Sequence, residues 1–171
     1  MHDSKAAAEF HFRIFRNQDT DDVRRIVTTV LREYGLSLDC SGIDADLNDI
    51  QGGYIARGGM FLVIESDGAL VGCGGLYPMG AGEAEIRKMY LLPGTRGRGL
   101  GRKLLLQLLD GGRNGGFRRV TLETASVLKE AIGLYQSFGF RRVQREHHSS
   151  RCDQMFALNL DDARGAGSGQ D

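Results

Sequence analysis

The stretch Met89-Tyr90-Leu91-Leu92-Pro93-Gly94-Thr95-Arg96-Gly97-Arg98-Gly99-Leu100-Gly101-Arg102-Lys103-Leu104-Leu105 constrains this chain more than any other. It begins as an apolar strand, crosses a turn dense in glycine and arginine, and enters a helix. Glycines at 97, 99 and 101 let backbone N–H groups turn toward a ligand and approach it closely. The first turn of a helix leaves N–H groups unpaired and carries partial positive charge. Such a junction is an anion site, most often for phosphate. Arg96, Arg98 and Arg102 add formal charge within the same few residues. Two standard phosphate motifs do not fit. A Walker loop ends in Gly-Lys-Ser/Thr, where this chain has Gly101-Arg102-Lys103. A dinucleotide fingerprint spaces its third glycine differently from Gly97-Arg98-Gly99-Leu100-Gly101, although Glu123 falls near the distance expected of its acidic residue.

The flanking sequence supplies elements on both sides. His11 to Arg16 alternates as a first strand. Asp19 to Asp22 offers N-cap and first-turn acids for a helix carrying Val23, Ile26, Val27, Val30, Leu31 and Tyr34, with Gly35 stopping it. Residues 36 to 59 are less regular. Leu47, Ile50, Tyr54 and Ile55 suggest a short second helix begun near Asp44 to Asp46. Asp39, Asp44, Asp46 and Asp49 lack the spacing, central glycine and terminal Glu of a calcium loop, so they are read as a solvated face. A connection of this length can also border a substrate pocket. Met60 to Glu65 is a strand, Ser66-Asp67-Gly68 a hairpin turn, and Ala69 to Tyr77 its partner. Gly72, Gly74 and Gly75 within that partner mark a bulge or a close approach. Glu83 to Leu92 completes a meander that runs into the anion turn.

After the turn, Leu100, Leu104, Leu105, Leu108 and Leu109 form an apolar helical stripe ending by Gly111-Gly112 or Gly115-Gly116. Phe117 to Thr124 then makes strand–helix–strand a parallel crossover. A helix over Leu128 to Phe138 closes at Gly139, and strands over Phe140 to Arg145 and Gln154 to Leu160 finish the domain. Residues 1 to 9 and 161 to 171 read as disordered termini.

Composition narrows the function classes. The net charge is zero, with 22 basic and 22 acidic residues, so no globally basic face for nucleic acid is indicated. Cys40, Cys73 and Cys152 are odd in number and far apart, without a C-x-x-C pair. That suggests neither zinc nor a disulfide framework, and a reduced, cytoplasmic compartment fits. No apolar run reaches the about 18 residues needed to span a bilayer, and residues 1 to 9 lack a signal core.

Two segments together resemble the GNAT superfamily of acyl-CoA-dependent N-acyltransferases. The family's cofactor motif, Arg/Gln-x-x-Gly-x-Gly/Ala, is matched by Arg96-Gly97-Arg98-Gly99-Leu100-Gly101, and Met89 to Pro93 resembles the preceding Leu-Tyr-Val-x-Pro. A second motif, Ala-x-x-Leu-Tyr-x-x-x-Gly-Phe, is matched by Ala131 to Phe140. The resemblance covers Phe12 to about Leu160. One departure is Leu128, where many members carry Asn. The implied fold is α/β: one domain over residues 10 to 160, with a twisted mixed sheet of six or seven mostly antiparallel strands and about four helices. The implied function is transfer of an acetyl group from acetyl-CoA to a primary amine by direct attack. The expected partners are acetyl-CoA and an amine, small or protein-borne. A homodimer is compatible, and no metal, nucleic acid or membrane is called for.

The resemblance assigns roles to residues. Amides of Arg96, Gly97, Arg98, Gly99, Leu100, Gly101 and Arg102 would hold the pyrophosphate. Strand residues Met89, Tyr90 and Leu91 would line the pantetheine arm, with Met89 and Leu91 offering backbone groups as an added strand does. The Leu91 amide would polarise the thioester carbonyl. Tyr135 would protonate the leaving thiolate, although its spacing alone also suits a core tyrosine completing the helix stripe. Glu85 leads as the base that deprotonates the amine, since counting by twos puts it on the face of Met89. Glu83, Glu123 or a water chain are alternatives. His147 and His148 read as a polar loop or an acceptor-pocket lining, and Cys152 as packing, because direct attack needs no covalent intermediate. A non-catalytic acyl-CoA-binding module with the same fold is the alternative; it would tolerate loss of Tyr135 and Glu85.

Overall fold

A computed structural model describes residues 8–144 and 150–161. Among them run β1 (His11–Ile14), α1 (Thr20–Glu33), β2 (Met60–Ser66), β3 (Ala69–Gly80), β4 (Glu83–Leu91), α2 (Leu100–Asn114), β5 (Arg119–Thr124), α3 (Lys129–Ser137), β6 (Arg141–Val143) and β7 (Gln154–Asn159). The seven strands form one sheet in the order β1-β2-β3-β4-β5-β7-β6. Every neighbouring pair is antiparallel except β4 and β5.

Local chemistry explains most of these elements. Asp67 and Gly68 both adopt positive φ, 50° and 77°, as the two-residue turn joining β2 to β3 requires. The α1 stripe of Val23, Ile26, Val27, Val30 and Leu31 is buried, and Gly35 stops the helix with φ 70°. Asp19 occupies the N-cap position of α1 without a side-chain capping bond. Its carboxylate instead accepts from both Nη atoms of Arg13, at 2.8 and 3.0 Å, and from the Arg16 amide at 2.7 Å. The short helix expected after Asp44 is two separate turns, Ala45–Asn48 and Gln51–Ile55. Asp49 between them has φ −147°, outside helical geometry. With the three α-helices, these turns fill the places of the expected four.

Two apolar layers sandwich the sheet. On one face, the α2 leucines at 100, 104, 105, 108 and 109, with Tyr135 and Phe140, pack on Leu62, Ile64, Leu76, Ile86, Val120 and Leu122. On the other, α1 and the two turns pack Val23, Ile26, Val27, Leu31, Leu47, Ile50 and Tyr54 on Phe61, Val63 and Cys73. Gly75 makes the second layer possible: a Cβ there would lie 2.4 Å from the Tyr54 ring. Among the described residues no helix is long and apolar enough to cross a membrane.

Candidate active site

The sheet opens where β4 meets β5. Their parallel pairing runs only from Glu83–Arg119 to Ile86–Leu122, while β4 continues to Leu91 and β5 to Thr124. Past the last pair, β4 keeps β3 as its partner through Tyr90–Cys73 and Leu91–Gly72. The result is a fork. Leu92 donates its N–H to the Val71 carbonyl on β3 at 2.9 Å. Backbone groups alternate along a strand, so the Leu91 and Met89 amides face the fork. The Leu91 carbonyl also points that way and accepts from Arg96 Nε at 3.1 Å.

A bulge shapes β4 just before the fork amides. Between the Gly75–Arg87 and Cys73–Tyr90 pairs, β3 spends one residue and β4 spends two. Lys88 takes φ 54° to accommodate the extra residue. This reverses the alternation. Ile86, Met89 and Leu91 share the α2 face, whereas Tyr90 and Leu92 pack toward α1. Glu85 bonds to Arg87, whose guanidinium lies 3.9 Å over the Tyr77 ring on that α1 side. The expectation that Glu85 and Met89 share a face is therefore corrected, because a period of two does not survive an inserted residue.

At the end of the fork, Gly97 and Gly99 both have φ 74°, and open space lies where a Cβ would stand. Gly99 is the N-cap of α2 and brings no capping side chain. The Lys103 N–H, bonded to the Gly99 carbonyl at 3.1 Å, follows this turn, so the first-turn amides of Leu100, Gly101 and Arg102 have no intrahelical acceptor. Of the three arginines, Arg96 is committed elsewhere. Its Nη atoms donate to both Glu33 oxygens at 2.7 Å, tying the turn to the end of α1. That hydrogen bond holds the Glu33 carboxyl below its ordinary value. Arg98 sits 5.7 Å from the Phe10 ring. Arg102 lies 4.8 Å over Phe138 and donates to Ser137 Oγ at 3.3 Å.

Tyr135 is 8% exposed and packs edge-on to Phe140 at 6.0 Å. Burial pushes its phenol up to about 12, with the nearby Cys152 adding to the effect. Tyr90, raised chiefly by burial, also feels Cys152, so that thiol stands near both rings. Glu85 is buried at 6% exposure. Glu83 pairs with Arg119 at 3.2 Å at the closed end of the fork. Glu123 lies on β5 opposite Met155. His147 and His148 lie outside the described residues.

The irregular segment after α1 lines a cavity of about 430 Å³ on the Glu85 face, bounded by Ile43, Asp46, Asp49, Gly53, Tyr77 and Arg87. Beside it lies a buried ionic group where the sequence pattern predicts a solvated face. Asp44 is fully buried. Its carboxylate accepts from Lys88 Nζ at 2.7 Å, from Arg151 at 2.9 Å and from the Asp39 amide at 2.9 Å. Lys88 also approaches Asp46 at 3.2 Å, and Asp46 accepts from the Tyr54 hydroxyl. Burial alone would raise Asp44, but the Lys88 hydrogen bond, the Asp39 amide and the cationic neighbours hold it below the ordinary carboxylate value. Of the four acids, Asp49 is exposed as expected, Asp39 and Asp46 are half-buried, and Asp44 is buried. No local pattern joins this group, because Lys88 and Arg151 lie 44 and 107 positions after Asp44.

The acetyltransferase (GNAT) family model matches residues 28–140. The chain is 39% identical over 131 residues to the N-acetyltransferase YjgM of Escherichia coli, covering 74% of this chain and 78% of that protein. It is 31% identical over 134 residues to an N-acetyltransferase of Schizosaccharomyces pombe, covering 77% and 82% of the two chains. A GNAT-family acetyltransferase structure from Staphylococcus aureus superposes with a TM-score of 0.82 at 20% identity, covering 89% of this chain and 99% of that one. The acetyltransferase yncA of Salmonella typhimurium, solved with acetyl-CoA, superposes at 0.70 with 22% identity, covering 90% and 95%. A strand fork, a glycine turn at a helix N-terminus and these relatives converge: the chain belongs to the GNAT acetyltransferase family.

Proposed function

We propose that this protein transfers the acetyl group of acetyl-CoA to a primary amine by direct attack. The observation that carries the reading is the run of open first-turn amides at the α2 N-terminus, continuous with the outward amides of Met89 and Leu91 on β4. Oriented N–H groups with positive-φ glycines, unblocked by side chains, suit a pyrophosphate. The yncA structure from Salmonella typhimurium was solved with acetyl-CoA in the same fold, which supports this cosubstrate.

The chain's residues then divide the work. The Leu91 amide, with Met89 beside it nearer the fork's vertex, donates to the oxygen on which charge develops. Tyr135, kept neutral by burial, enters as a proton donor toward the departing sulfur. Glu85 accepts the proton that the attacking ammonium must lose. Glu85 lies on the cavity side of β4, so the amine approaches from the face opposite the α2 leucines.

Thiol release from acetyl-CoA over a panel of primary amines tests the reading, with Gly101→Glu as the control. Gly101 has room for a side chain, its Cβ meeting neighbours no closer than 3.6 Å. An acid in the first helical turn is also favourable to the helix itself. The variant should keep its fold and lose CoA affinity by at least about tenfold. Unchanged CoA affinity would overturn the assignment. Tight CoA binding without turnover of any amine would point to the non-catalytic binding module instead.

A further inference from the structure

The wall of the acceptor-side cavity carries an arginine with unspent hydrogen-bond capacity. Arg87 gives its Nε–H to Glu85. Its Nη2 meets only the Met79 sulfur, at 3.5 Å, a weak acceptor. Among the described residues its Nη1 has no hydrogen-bond acceptor. The guanidinium is nonetheless held in place, its carbon 3.9 Å from the centroid of the Tyr77 ring and its Nε bonded to Glu85. Arg57 lies 5.0 Å from the centroid of the same ring, and among the described residues it forms no ion pair. Two cations thus approach one aromatic ring, Tyr77, that lines the cavity, and among the described residues Glu85 is the one carboxylate bonded to either. A rigid fork of this kind matches a carboxylate.

The same cavity also presents negative charge. Asp49 is exposed at its edge, holding the Gly52 amide at 2.7 Å. Asp46 lies deeper and is engaged by Lys88 and Tyr54. A polyamine or a lysine-rich peptide would bring further cations against Arg57 and Arg87, and like charges placed together are costly. A ligand bearing both signs meets complements for each.

Resting on the acetyltransferase reading above, we infer that the acceptor is a zwitterion of the amino-acid type, an amine with a carboxylate a few bonds away, whose carboxylate is held by Arg87 with Arg57 beside it. The short reach follows from the strand. Glu85 and Arg87 are two residues apart on one face and bonded to each other, so a carboxylate on the Arg87 fork leaves its amine beside the Glu85 base. The cavity, about 430 Å³, is of ligand-binding size and takes a whole amino acid with its side chain. Arg87 is a specificity-determining residue in this arrangement and Glu85 the proton acceptor.

The test compares three forms of each acceptor: β-alanine, glycine, L-leucine and L-phenylalanine, their carboxamides, and the corresponding decarboxylated amines. Turnover is followed by thiol release from acetyl-CoA, and CoA affinity is measured separately by calorimetry. For at least one acid, kcat/KM should exceed that of its carboxamide tenfold or more. Arg87→Gln should bring that ratio within threefold while CoA affinity stays unchanged, and Arg87→Lys should restore part of it. Arg57→Gln, at an exposed position that leaves folding undisturbed, should lower the ratio two- to fivefold. The inference is overturned if carboxamides or decarboxylated amines react as well as the acids. It is equally overturned if the ratio survives both arginine variants, or if no acid reacts while polyamines or lysine peptides do. Absence of CoA binding by the unaltered protein would sink the acetyltransferase reading itself, and the calorimetry separates that failure from the others.

Discussion

Tyr135 and Asp44 show how far single residues can be read. The motif around Tyr135 implies a proton donor, and periodicity implies equally a core side chain; the structure buries it against Phe140 in the cluster that Met89 and Leu91 pack on. The substitution Tyr135→Phe separates them. It keeps the ring and its Phe140 contact, so stability and CoA affinity should hold while kcat falls by about 100-fold. A phenol raised to about 12 stays protonated through neutrality, so no limb of the pH–rate profile below about pH 11 should belong to it. Asp44 is the opposite case, since nothing local distinguishes it from Asp39 or Asp49. Its carboxyl lies lower folded than its unfolded value of about 3.9. The stability this contributes is fully present above about pH 4 and is lost as pH falls through the folded value. Asp44→Asn removes the buried carboxylate that Lys88 and Arg151 share, and urea unfolding at neutral pH should show a loss of about 3 kcal/mol. The gap from the unaltered protein should narrow in acid.

At the level of elements, the strands and helices announced by alternation and helical spacing are present within a few residues of their expected bounds. The exceptions differ in cause. The break at Asp49 is local, its carboxylate accepting from the Gly52 amide at 2.7 Å, whereas the bulge in β4 carries contacts between segments far apart in sequence. Lys88 adopts φ 54° while its ammonium reaches Asp44 and Asp46, more than forty positions earlier. Local periodicity carries no trace of such a partner, and so the side of the sheet on which Glu85 stands could not be counted correctly. The anion turn, by contrast, was legible because its glycines and its helix start are contiguous. Its link to α1 was not. The Arg96–Glu33 pair is about one-third exposed, 36% and 31%, so Glu33→Gln should change stability by less than about 1 kcal/mol. Because the pair anchors the turn, the same change should weaken CoA binding by about threefold. Calorimetry beside a denaturation curve checks both.

The whole molecule is a sheet whose two parts meet through four residue pairs between β4 and β5. A ligand bound along the fork touches both parts and the α2 N-terminus at once. CoA at a hundred times its Kd should therefore add about 2.7 kcal/mol and raise the melting temperature by about 5 to 10 °C in a chain of this size. The Gly101→Glu protein should melt normally alone and lose that increment.

A grip built from main-chain N–H groups has an evolutionary corollary. Peptide amides are common to every residue, so mutation can rewrite most of the surrounding side chains without erasing them. The Staphylococcus aureus structure keeps the fold at a TM-score of 0.82 with 20% sequence identity. The far side of β4, where Tyr77, Arg87 and the Asp46 loop stand, can then change its side chains without touching those amides.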